Sequence, residues 1–400
     1  MGVEVHNFGC RLNIAEGEAI RLAAADAGSV TIINSCAVTN EAVQKARQAI
    51  RRAARLRPDA RIVVTGCAAQ IEPARFAAMP EVSTVVGNRE KRLPSSYTGL
   101  GEVGDIMSPA PLLAPVVSGR DHARAFVEVQ TGCDHRCTFC IIPFGRGNSA
   151  SAPVAAVIEA IRAAVGRGQQ EAVLTGVDLT SFEGGLGLLV RQILDEVPDL
   201  LRLRLSSLDP VEVDPLLFEL LTTEPRMMPH VHLSLQAGDD MILKRMKRRH
   251  SRAQAIDLVH ELKVARPAIA IGADIIAGFP TEDEAMFANS LALVAECEIV
   301  FGHIFPFSPR QGTPAARMPQ VPATVAKARA AALRTAVGVR KSDWLASLVG
   351  TEQRVLVERD GISGHAENFA PVVIRAAVPG SIVTIRIAAT DGERLLESSQ

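Results

Sequence analysis

Aromatic residues are scarce in this chain of 400 residues, and neither sign of charge is in excess. Phe, Tyr and Trp make up 4% of the residues, with one Trp and one Tyr, and the net charge is −1. This balance indicates no class of partner, so any basic surface must be sought in local patches. No stretch reaches the roughly eighteen uncharged apolar residues of a membrane helix, and no signal peptide is recognisable. We therefore expect a cytoplasmic protein without a membrane partner.

Cysteines are also few, and their number is odd, which argues against a framework of paired disulfides. The chain has seven of them. In a reducing cytoplasm disulfides are disfavoured, so clustered cysteines point to metal binding or catalysis.

Short apolar strands alternate with helical stretches at the start of the chain. The predicted strands are 2–8, 30–34, 61–65 and 82–86, and the predicted helices are 13–27 and 40–56. This alternation indicates a parallel sheet flanked by helices. We predict an α/β protein that begins with an open parallel α/β domain over residues 1–95, followed by a Pro-, Gly- and Ser-rich linker over 96–118.

A second alternating series predicts six more strands, at 125–130, 171–175, 201–206, 230–235, 269–275 and 300–306. Six βα units in succession predict a central partial (β/α)6 barrel, whose active site would form at the C-terminal ends of its strands. Helical segments such as 152–167, 187–196 and 287–296 separate the strands, and a helix near 325–348 follows them. We place this domain at residues 119–348.

The last part of the chain changes character. Short β-rich runs at 353–358, 371–377 and 381–388 are separated by turns that contain glycine. They predict a small all-β barrel over 349–400, a shape often used to hold nucleic acid.

The strongest chemical signal is a C-x3-C-x2-C loop formed by Cys133, Cys137 and Cys140, directly after the first barrel strand. Three thiolates on one loop can bind three irons of a [4Fe–4S] cluster and leave the fourth iron open to a cofactor. Zinc sites usually close with a fourth protein ligand, and no second C-x2-C pair lies nearby, although His135 or a distant residue could serve. A zinc site, or buried cysteines without a special role, remains the alternative.

Three further cysteines, Cys10, Cys36 and Cys67, each come directly after a predicted strand of the first domain. The C-terminal ends of parallel strands converge on one edge of a sheet, so these thiolates could hold a second cluster with an open iron. The alternative is three unrelated core cysteines, since cysteine is common in cores. We interpret Cys297 as structural and His303 as a satisfied core histidine.

The cysteine loop, with Phe139 before its last cysteine, resembles the radical S-adenosylmethionine (SAM) superfamily. Together with that loop, the segments Phe8–Asn13, Asn34–Cys36 and Gly66–Gln70 resemble the methylthiotransferases. The similarity spans nearly the whole chain, including a terminal barrel that looks like a TRAM domain, where Glu367–Phe369 fits the pattern. The branch that acts on threonylcarbamoyladenosine in tRNA is the most similar, through Val38–Ala42, Arg47–Arg55 and Cys140–Gly147.

The resemblance implies a transferase that modifies tRNA, inserting sulfur and a methyl group at C2 of N6-threonylcarbamoyladenosine at tRNA position 37. One SAM gives a 5′-deoxyadenosyl radical, a second cluster delivers sulfur, and another SAM supplies the methyl group. Two [4Fe–4S] clusters and SAM are the implied cofactors. The implied partners are the tRNA anticodon stem-loop, a sulfur donor and a low-potential electron donor. The cysteines with the implied catalytic and metal-binding roles are Cys133, Cys137 and Cys140 for the SAM-binding cluster, and Cys10, Cys36 and Cys67 for the auxiliary cluster.

The resemblance also implies SAM contacts at the strand ends of the barrel, with Phe139 near the adenine. Backbone groups released where strands end, together with Ser, Gln and Arg side chains, can bind the ribose and the carboxylate of SAM. Ordinary turns between strands and helices are the alternative. The implied residues are Phe139, Gly176, Asp178, Ser206, Ser234, Gln236, Gly278 and Arg310.

Two basic clusters are candidates for phosphate binding. With few aromatics to stack on bases, arginine side chains and the terminal barrel would carry more of that work. A solvated face paired with acids elsewhere is the alternative for each cluster. The first lies on the predicted helix 40–56 and its end, and the second follows the fourth barrel strand; they comprise Lys45, Arg47, Arg51, Arg52, Arg55 and Arg57, and Lys244, Arg245, Lys247, Arg248, Arg249 and Arg252.

Three other functions remain in competition at this point. Close relatives within the family act on isopentenyladenosine in tRNA or on an aspartate of a ribosomal protein. A hypothesis from a different class is a non-enzymatic RNA-binding protein with a structural metal, which predicts zinc or no labile sulfide, and no SAM cleavage.

Overall fold

The computed structural model describes residues 2–99, 101–109, 114–119 and 121–398. It consists of an N-terminal parallel sheet, a central set of parallel strands surrounded by helices, and a closed C-terminal β-barrel. The three-part α/β architecture predicted from the sequence is confirmed. Among the described helices, none is long and apolar enough to cross a membrane.

The N-terminal unit is a four-stranded parallel sheet in the order β1-β2-β3-β4. Helix α2 follows the prediction because its buried residues, Val43, Ala46, Ile50 and Ala53, recur at helical spacing and the Thr39 side chain caps its first turn. The first helix begins and ends earlier than predicted. The elements are β1 Val3–Asn7, α1 Arg11–Ala23, β2 Val30–Ser35, α2 Asn40–Leu56, β3 Arg61–Gly66, α3 Cys67–Ile71, α4 Pro73–Ala77, β4 Thr84–Val85 and α5 Ser95–Thr98.

The predicted linker lies partly outside the described residues, at 100 and 110–113. Its segment 101–109 has no helix or strand but lies against the N-terminal unit. Glu102 accepts a hydrogen bond from the Gly87 amide at 2.7 Å, and Gly104 accepts one from Gln70 at 2.9 Å. These hydrogen bonds hold in place a segment that its composition predicted to be a linker.

The six predicted barrel strands are all present, but they form two parallel three-stranded sheets, β5-β8-β9 and β10-β11-β12. Only isolated bridges, Leu203 to Met227 and Leu208 to Leu233, connect the two halves among the described residues. A short antiparallel pair, β6 and β7, frames the cysteine loop. The strands are β5 Ala125–Glu128, β6 Gln130–Thr131, β7 Ala150–Ser151, β8 Glu171–Thr175, β9 Arg202–Leu205, β10 His230–Gln236, β11 Ala270–Ala277 and β12 Ile299–Pro306.

Helices cover the outer face of these strands and enclose the largest hydrophobic core of the molecule. Side chains such as Leu174, Leu203 and Ile271 contribute to it from the strands, and Ile161 and Leu189 contribute from the helices. The helices are α6 Ile142–Arg146, α7 Val154–Gly166, α8 Leu186–Glu196, α9 Pro215–Thr223, α10 Asp240–Met246, α11 Arg252–Ala265, α12 Glu284–Glu296 and α13 Ala323–Ser347.

The C-terminal unit is a closed five-stranded barrel in the order β13-β14-β15-β17-β16. Two of its strands are short and carry little β-pattern, which is why only three runs were predicted. It rests on β9, where Arg204 donates to the carbonyls of Ala366 and Glu367 at 2.9 and 2.8 Å. The strands are β13 Glu352–Val357, β14 Ser363–Ala366, β15 Pro371–Val373, β16 Ile382–Thr390 and β17 Leu395–Glu397.

Candidate active site

The C-x3-C-x2-C loop leaves β6 and ends where α6 begins, so all three of its cysteines lie at the C-terminal end of the partial barrel. The Cys133 amide donates to the Gly147 carbonyl at 3.1 Å, and Thr138 donates through its hydroxyl to the Arg245 carbonyl at 2.8 Å. Cys133, Cys137 and Cys140 are all free thiols. Burial raises the pKa of Cys140 to about 12, a cost that a bound metal would remove by stabilising the thiolate.

Asp178, predicted to contact SAM, lies against the cysteine loop. Its carboxylate is 3.5 Å from the Cys133 sulfur and 3.0 Å from Nε2 of His135. Cys133, His135 and Asp178 are close enough to hold a single metal ion, which is the geometry that a zinc alternative would require. Cys137 and Cys140 stand outside that set, whereas a cluster site uses all three cysteines of the loop.

Phe139 belongs to an apolar wall above strands β10 to β12. Its ring meets Phe279 edge-on at 6.4 Å, and Phe279 meets Phe307 in the same way at 5.4 Å. Ala237 and Met246 complete the packing. Phe139 is partly exposed at the margin of this wall, and its predicted place near the adenine of SAM stays a prediction.

The remaining predicted SAM contacts do lie at strand ends. Gly176 follows β8, and its amide is 3.4 Å from the hydroxyl of Ser206, which follows β9. Ser234 lies within the end of β10, which Gln236 closes in a left-handed conformation at φ 67°. Gly278 follows β11 at φ 71°. Their individual roles toward SAM stay predictions.

Gln130 belongs to this rim but has no sequence signal of its own, because a single glutamine in a strand is unremarkable. Its buried side chain accepts hydrogen bonds from the amides of Val177 and Asp178, both at 2.9 Å. It also donates to the Gly132 carbonyl at 2.8 Å. Gln130 therefore fixes the cysteine loop and the Asp178 loop relative to each other.

The second basic cluster is largely committed to internal contacts, which corrects its interpretation as a phosphate-binding surface. Arg248 bonds Asp209 and the Ser234 carbonyl, both at 2.8 Å, and approaches the Cys137 sulfur at 3.8 Å. Arg249 pairs with Glu212 at 2.6 Å, and Arg252 pairs with Glu296. Only its lysines, Lys244 and Lys247, are exposed without a described ion pair.

The first basic cluster is more open. Arg51, Arg52 and Arg55 are exposed on α2, whereas Lys45 pairs with Glu41 at 2.7 Å. Arg57 lies past the helix end and bonds Glu4 at 2.9 Å, so it does not share that face.

Cys10, Cys36 and Cys67 lie together at the C-terminal edge of the N-terminal sheet, and each thiol lies within electrostatic range of the other two. Gly9, at φ 93°, brings the chain so close to Cys36 that a Cβ there would lie 2.6 Å from its sulfur. Burial raises the pKa of Cys36 to about 12. Asn88 directs its side-chain amide to the Cys67 sulfur at 3.7 Å. Three clustered free thiols with a donor beside them fit the donor set of an iron–sulfur cluster.

The two cysteine sites meet through α6, which starts just after Cys140 and packs on α3, the helix that begins at Cys67. A Cβ on Gly145 would lie only 3.1 Å from the Cβ of Cys67. Asn88 bonds the Gly145 carbonyl at 2.6 Å while facing the Cys67 sulfur. Only four residues therefore separate Cys140, the last cysteine of one site, from Gly145, which contacts the other site.

A buried ion network supports this junction. Arg146 bonds both carboxylate oxygens of Glu16, at 3.0 and 2.9 Å, and the Asn13 side chain at 2.6 Å. Lys91, which is fully buried, pairs with the same carboxylate at 2.6 Å. Although burial alone would raise the pKa of Glu16, Arg146 and Lys91 hold it well below its usual range. Glu16 and Arg146 lie far apart in the chain, and no local sequence pattern pairs them.

Arg310, predicted to contact SAM, reaches across to the N-terminal unit. It donates to the Asn40 side chain at 2.5 Å, and the thiol of Cys36 is within its electrostatic range. Asn40 is the first residue of α2. Arg310 therefore connects the end of β12 to the edge that carries the N-terminal cysteines.

His303 is not a core residue, which corrects its sequence interpretation. Its side chain is 60% exposed, and its Nδ1 lies 3.1 Å from the Asp274 carboxylate. The barrel is not closed beside β12, so the inner face of that strand is open to solvent. Cys297 is fully buried, in keeping with the structural role predicted for it.

Two family models match the chain. The Radical SAM superfamily matches residues 127–294, and Uncharacterized protein family UPF0004 matches residues 2–87. Together these ranges contain all six of the predicted cluster cysteines.

The chain is also similar to curated proteins over most of its length. It is 46% identical over 381 residues to the threonylcarbamoyladenosine tRNA methylthiotransferase MtaB of Rickettsia prowazekii, covering 92% of this chain and 90% of that protein. The protein of the same name from Bacillus subtilis is 32% identical, with 96% and 93% covered. A tRNA-2-methylthio-N(6)-dimethylallyladenosine synthase of Cereibacter sphaeroides is 33% identical, with 98% of each chain covered.

Among solved structures, the chain is similar to the radical S-adenosylmethionine methyltransferase TsrM of Kitasatospora setae, with cobalamin and a [4Fe–4S] cluster bound. The TM-score is 0.54 at 17% identity, covering 72% of this chain and 66% of that one. At this identity the likeness concerns the fold alone.

Proposed function

The chain belongs to the radical SAM methylthiotransferase family, and from this premise we propose that it inserts sulfur and a methyl group at C2 of N6-threonylcarbamoyladenosine at tRNA position 37. Family membership makes it an enzyme, a transferase, that uses SAM and a [4Fe–4S] cluster. Because tRNA is the proposed substrate, we expect it to work in the cytoplasm.

The observation that carries the proposal is the meeting of two three-cysteine sites that are separate in sequence. Sulfur insertion into a C–H bond requires a radical to form near the atom that receives the sulfur. Helix α6 begins two residues after Cys140 and carries Gly145, which lies against Cys67. A nucleobase held between these sites would be close to both reacting centres.

We propose that Cys133, Cys137 and Cys140 hold the SAM-binding cluster and that Cys10, Cys36 and Cys67 hold a second [4Fe–4S] cluster. When bound, the first supplies the electron that cleaves SAM, and the second supplies sulfur. The phenylalanine wall around Phe139 would exclude water from the SAM site. A sulfur donor and a low-potential electron donor are the further partners that this chemistry requires.

For the RNA, we propose that exposed Arg51, Arg52 and Arg55 on α2 contact phosphates of the anticodon stem-loop, together with the C-terminal barrel. Helix α2 begins beside Arg310, at the edge that carries the N-terminal cysteines. Phosphate contacts there would bring the loop of the RNA to the junction of the two cysteine sites.

The test uses reconstituted enzyme with SAM, a reductant and a sulfur source. Anticodon stem-loop RNAs carrying threonylcarbamoyladenosine, isopentenyladenosine or adenosine are digested after reaction and analysed by mass spectrometry. We expect the mass of a methylthio group on the first RNA only. A product on the isopentenyl RNA alone would assign the chain to the activity named for the Cereibacter protein, which is the second candidate. Failure with every RNA, despite SAM cleavage, would favour a protein substrate.

Replacing Gly9 by alanine should selectively empty the auxiliary site. A Cβ at Gly9 would lie 2.6 Å from both the Cβ and the sulfur of Cys36, and the backbone there has φ 93°. We expect iron to fall from about eight toward about four per chain while SAM cleavage persists.

The matched control is Gly28→Ala, which carries a similar backbone strain at φ 74° but has no heavy atom within 4 Å of the added Cβ. It should keep its full iron content. A Gly9→Ala enzyme that also keeps all of its iron would argue against Cys36 as a cluster ligand.

A further inference from the structure

Helix α1 brings one cation of the N-terminal unit into the partial barrel. Arg11, Ile14 and Ala15 are spaced to share one face of this helix. Ile14 and Ala15 pack on Phe126 and Val173, away from the hydrophobic core that lies under the barrel helices. The helix therefore lies across the inner face of β5 and β8, and Arg11 extends into the barrel interior from the residue next to Cys10.

The floor of this interior is aromatic and is closed by the C-terminal barrel. The ring of Phe369 lies 4.9 Å from that of His230 and 5.9 Å from that of Phe301. Three guanidinium groups approach the same Phe369 ring: Arg204 at 5.1 Å, Arg11 at 5.5 Å and Arg124 at 5.7 Å. Such contacts favour cations over an aromatic face but do not neutralise their charge.

Two of these three arginines have carboxylate partners. Arg124 and Arg204 both pair with buried Glu171, at 3.0 and 2.8 Å, and Arg124 also pairs with Glu358 at 2.8 Å. Arg11 makes no hydrogen bond and no ion pair with any side chain in the described part of the chain. Glu171 and Asp274 lie within its electrostatic range, but neither bonds it, so Arg11 keeps its donors for an anionic ligand.

A second polar group faces the same interior. Asp274 lies 3.1 Å from Nε2 of His232 and 3.1 Å from Nδ1 of His303. With its Nδ1 held by Asp274, the exposed imidazole of His303 has its Nε2 free to bond a ligand. The rings of His232 and His303 lie 4.6 Å apart, and His230 and Arg11 both lie against the Phe369 ring, so these groups line the same interior.

His232, Asp274 and His303 are also close enough together to bind a metal ion. The charges beside them make an anion the better ligand. Arg11 and Arg204 carry positive charge over the Phe369 ring of the same interior, whereas Asp274, the carboxylate of the group, already bonds two imidazoles. A divalent cation would be repelled by the two arginines, whereas a carboxylate would be attracted to them.

We propose that Arg11, with His303 beside it, forms a carboxylate subsite in the barrel interior that binds the threonyl group of the modified adenosine. This inference rests on the proposed function and adds the residue that selects its substrate. The threonylcarbamoyl group carries a carboxylate, and the isopentenyl group carries none. A site built for a charged partner rejects a substrate that would leave its own cation unpaired.

The position of Arg11 fits this role. It follows Cys10 directly, so a substrate anchored at Arg11 would place its base near the auxiliary cysteines. The open side of β12, where His303 is 60% exposed, gives access to the interior. The same contact would thus choose the nucleoside and orient it.

The experiment measures binding of anticodon stem-loop RNA to the reconstituted enzyme with SAM and without reductant, so that no turnover occurs. Three RNAs are compared: one with threonylcarbamoyladenosine, one with its neutral threonyl methyl ester, and one with adenosine. We expect the parent enzyme to prefer the free carboxylate over the ester by about 10- to 100-fold. Arg11→Met should bind all three RNAs about equally, and Arg11→Lys should recover part of the preference.

Arg51→Met is the matched control, because it removes an exposed arginine from α2. This variant should bind all three RNAs more weakly by a similar factor and should keep the preference for the RNA with the free carboxylate. Iron content is measured for each variant, because Arg11 adjoins Cys10. If Arg11→Met lost iron, the RNA preference of the parent would be compared with that of Arg11→Lys, provided that this variant keeps its full iron content.

The outcomes separate this inference from the proposed function. Arg11 variants with full iron and an undiminished preference for the carboxylate would overturn the subsite. A parent enzyme that does not distinguish threonylcarbamoyladenosine from adenosine would instead overturn the proposed substrate.

Discussion

Converting Cys10, Cys36 and Cys67 together to alanine should abolish methylthiolation while leaving SAM cleavage in place. The three thiols follow strands of the N-terminal sheet and are separate in sequence from the loop of Cys133, Cys137 and Cys140. We expect the purified, anaerobically reconstituted parent to contain about eight irons and the variant about four, with a matching fall in acid-labile sulfide. Without a sulfur source at the junction, the radical would form and the RNA would be recovered without a methylthio group.

The reciprocal variant is the control. Alanine at Cys133, Cys137 and Cys140 should also leave about four irons but should eliminate SAM cleavage as well. Four irons in the parent, all lost with the Cys133 set, would leave radical chemistry intact and remove the sulfur role from the N-terminal unit. Zinc in place of iron, with no labile sulfide, would support a structural metal in an RNA-binding protein.

Glu16→Gln should destabilise the protein more than any other single conservative change at the junction of its units. The glutamine keeps the volume of the side chain but removes the charge that balances buried Lys91 and Arg146. Uncompensated buried charges of this kind cost about 3–5 kcal/mol. We expect a matching loss in the free energy of unfolding, measured by urea denaturation of the apoprotein at neutral pH.

The pH dependence gives this prediction a second measurement. The folded pKa of Glu16 lies below its unfolded value, so its contribution is present above the ordinary carboxyl range and is lost as pH falls from that range through the lower folded pKa. The parent should therefore lose stability with acid more steeply than Glu16→Gln, and the two curves should converge at low pH.

Glu18→Gln is the matched control on the same helix. Glu18 pairs with Arg21, whose side chain is 53% exposed, so its removal should cost less than about 1 kcal/mol. If both substitutions lowered the free energy of unfolding equally, the buried network would contribute no more to stability than a surface ion pair.

Local patterns predicted most of the architecture. Helix α2 was predicted residue for residue because its apolar residues recur at helical spacing and a threonine precedes it. The parallel strands were found because β-branched runs alternate with helices. The two strands of the terminal barrel that were not predicted are β14 and β17, since runs of only four and three residues carry little periodic signal.

Side-chain partners were harder to predict than elements. The cluster from Lys244 to Arg252 is as basic in sequence as the face of α2, yet its arginines bond Asp209, Glu212 and Glu296. The bond from Arg310 to Asn40 in the N-terminal unit was likewise not predicted. Both outcomes depend on which acids and amides the fold brings near, and a sequence read in order does not contain that information.

The sequence by itself determined the chemistry of this protein, because cluster ligands on one loop must be close in the chain, and their spacing is visible there. It also placed three cysteines at equivalent strand ends, since parallel strands leave a sheet on one edge. Only the tertiary structure decided how the two sites meet, through Gly145 against Cys67 and Arg146 on Glu16. It alone left Arg11 in the barrel interior without a bonded carboxylate among the described residues. Those contacts join residues from separate folding units, and their distances depend on how whole sheets and helices pack rather than on any short-range pattern.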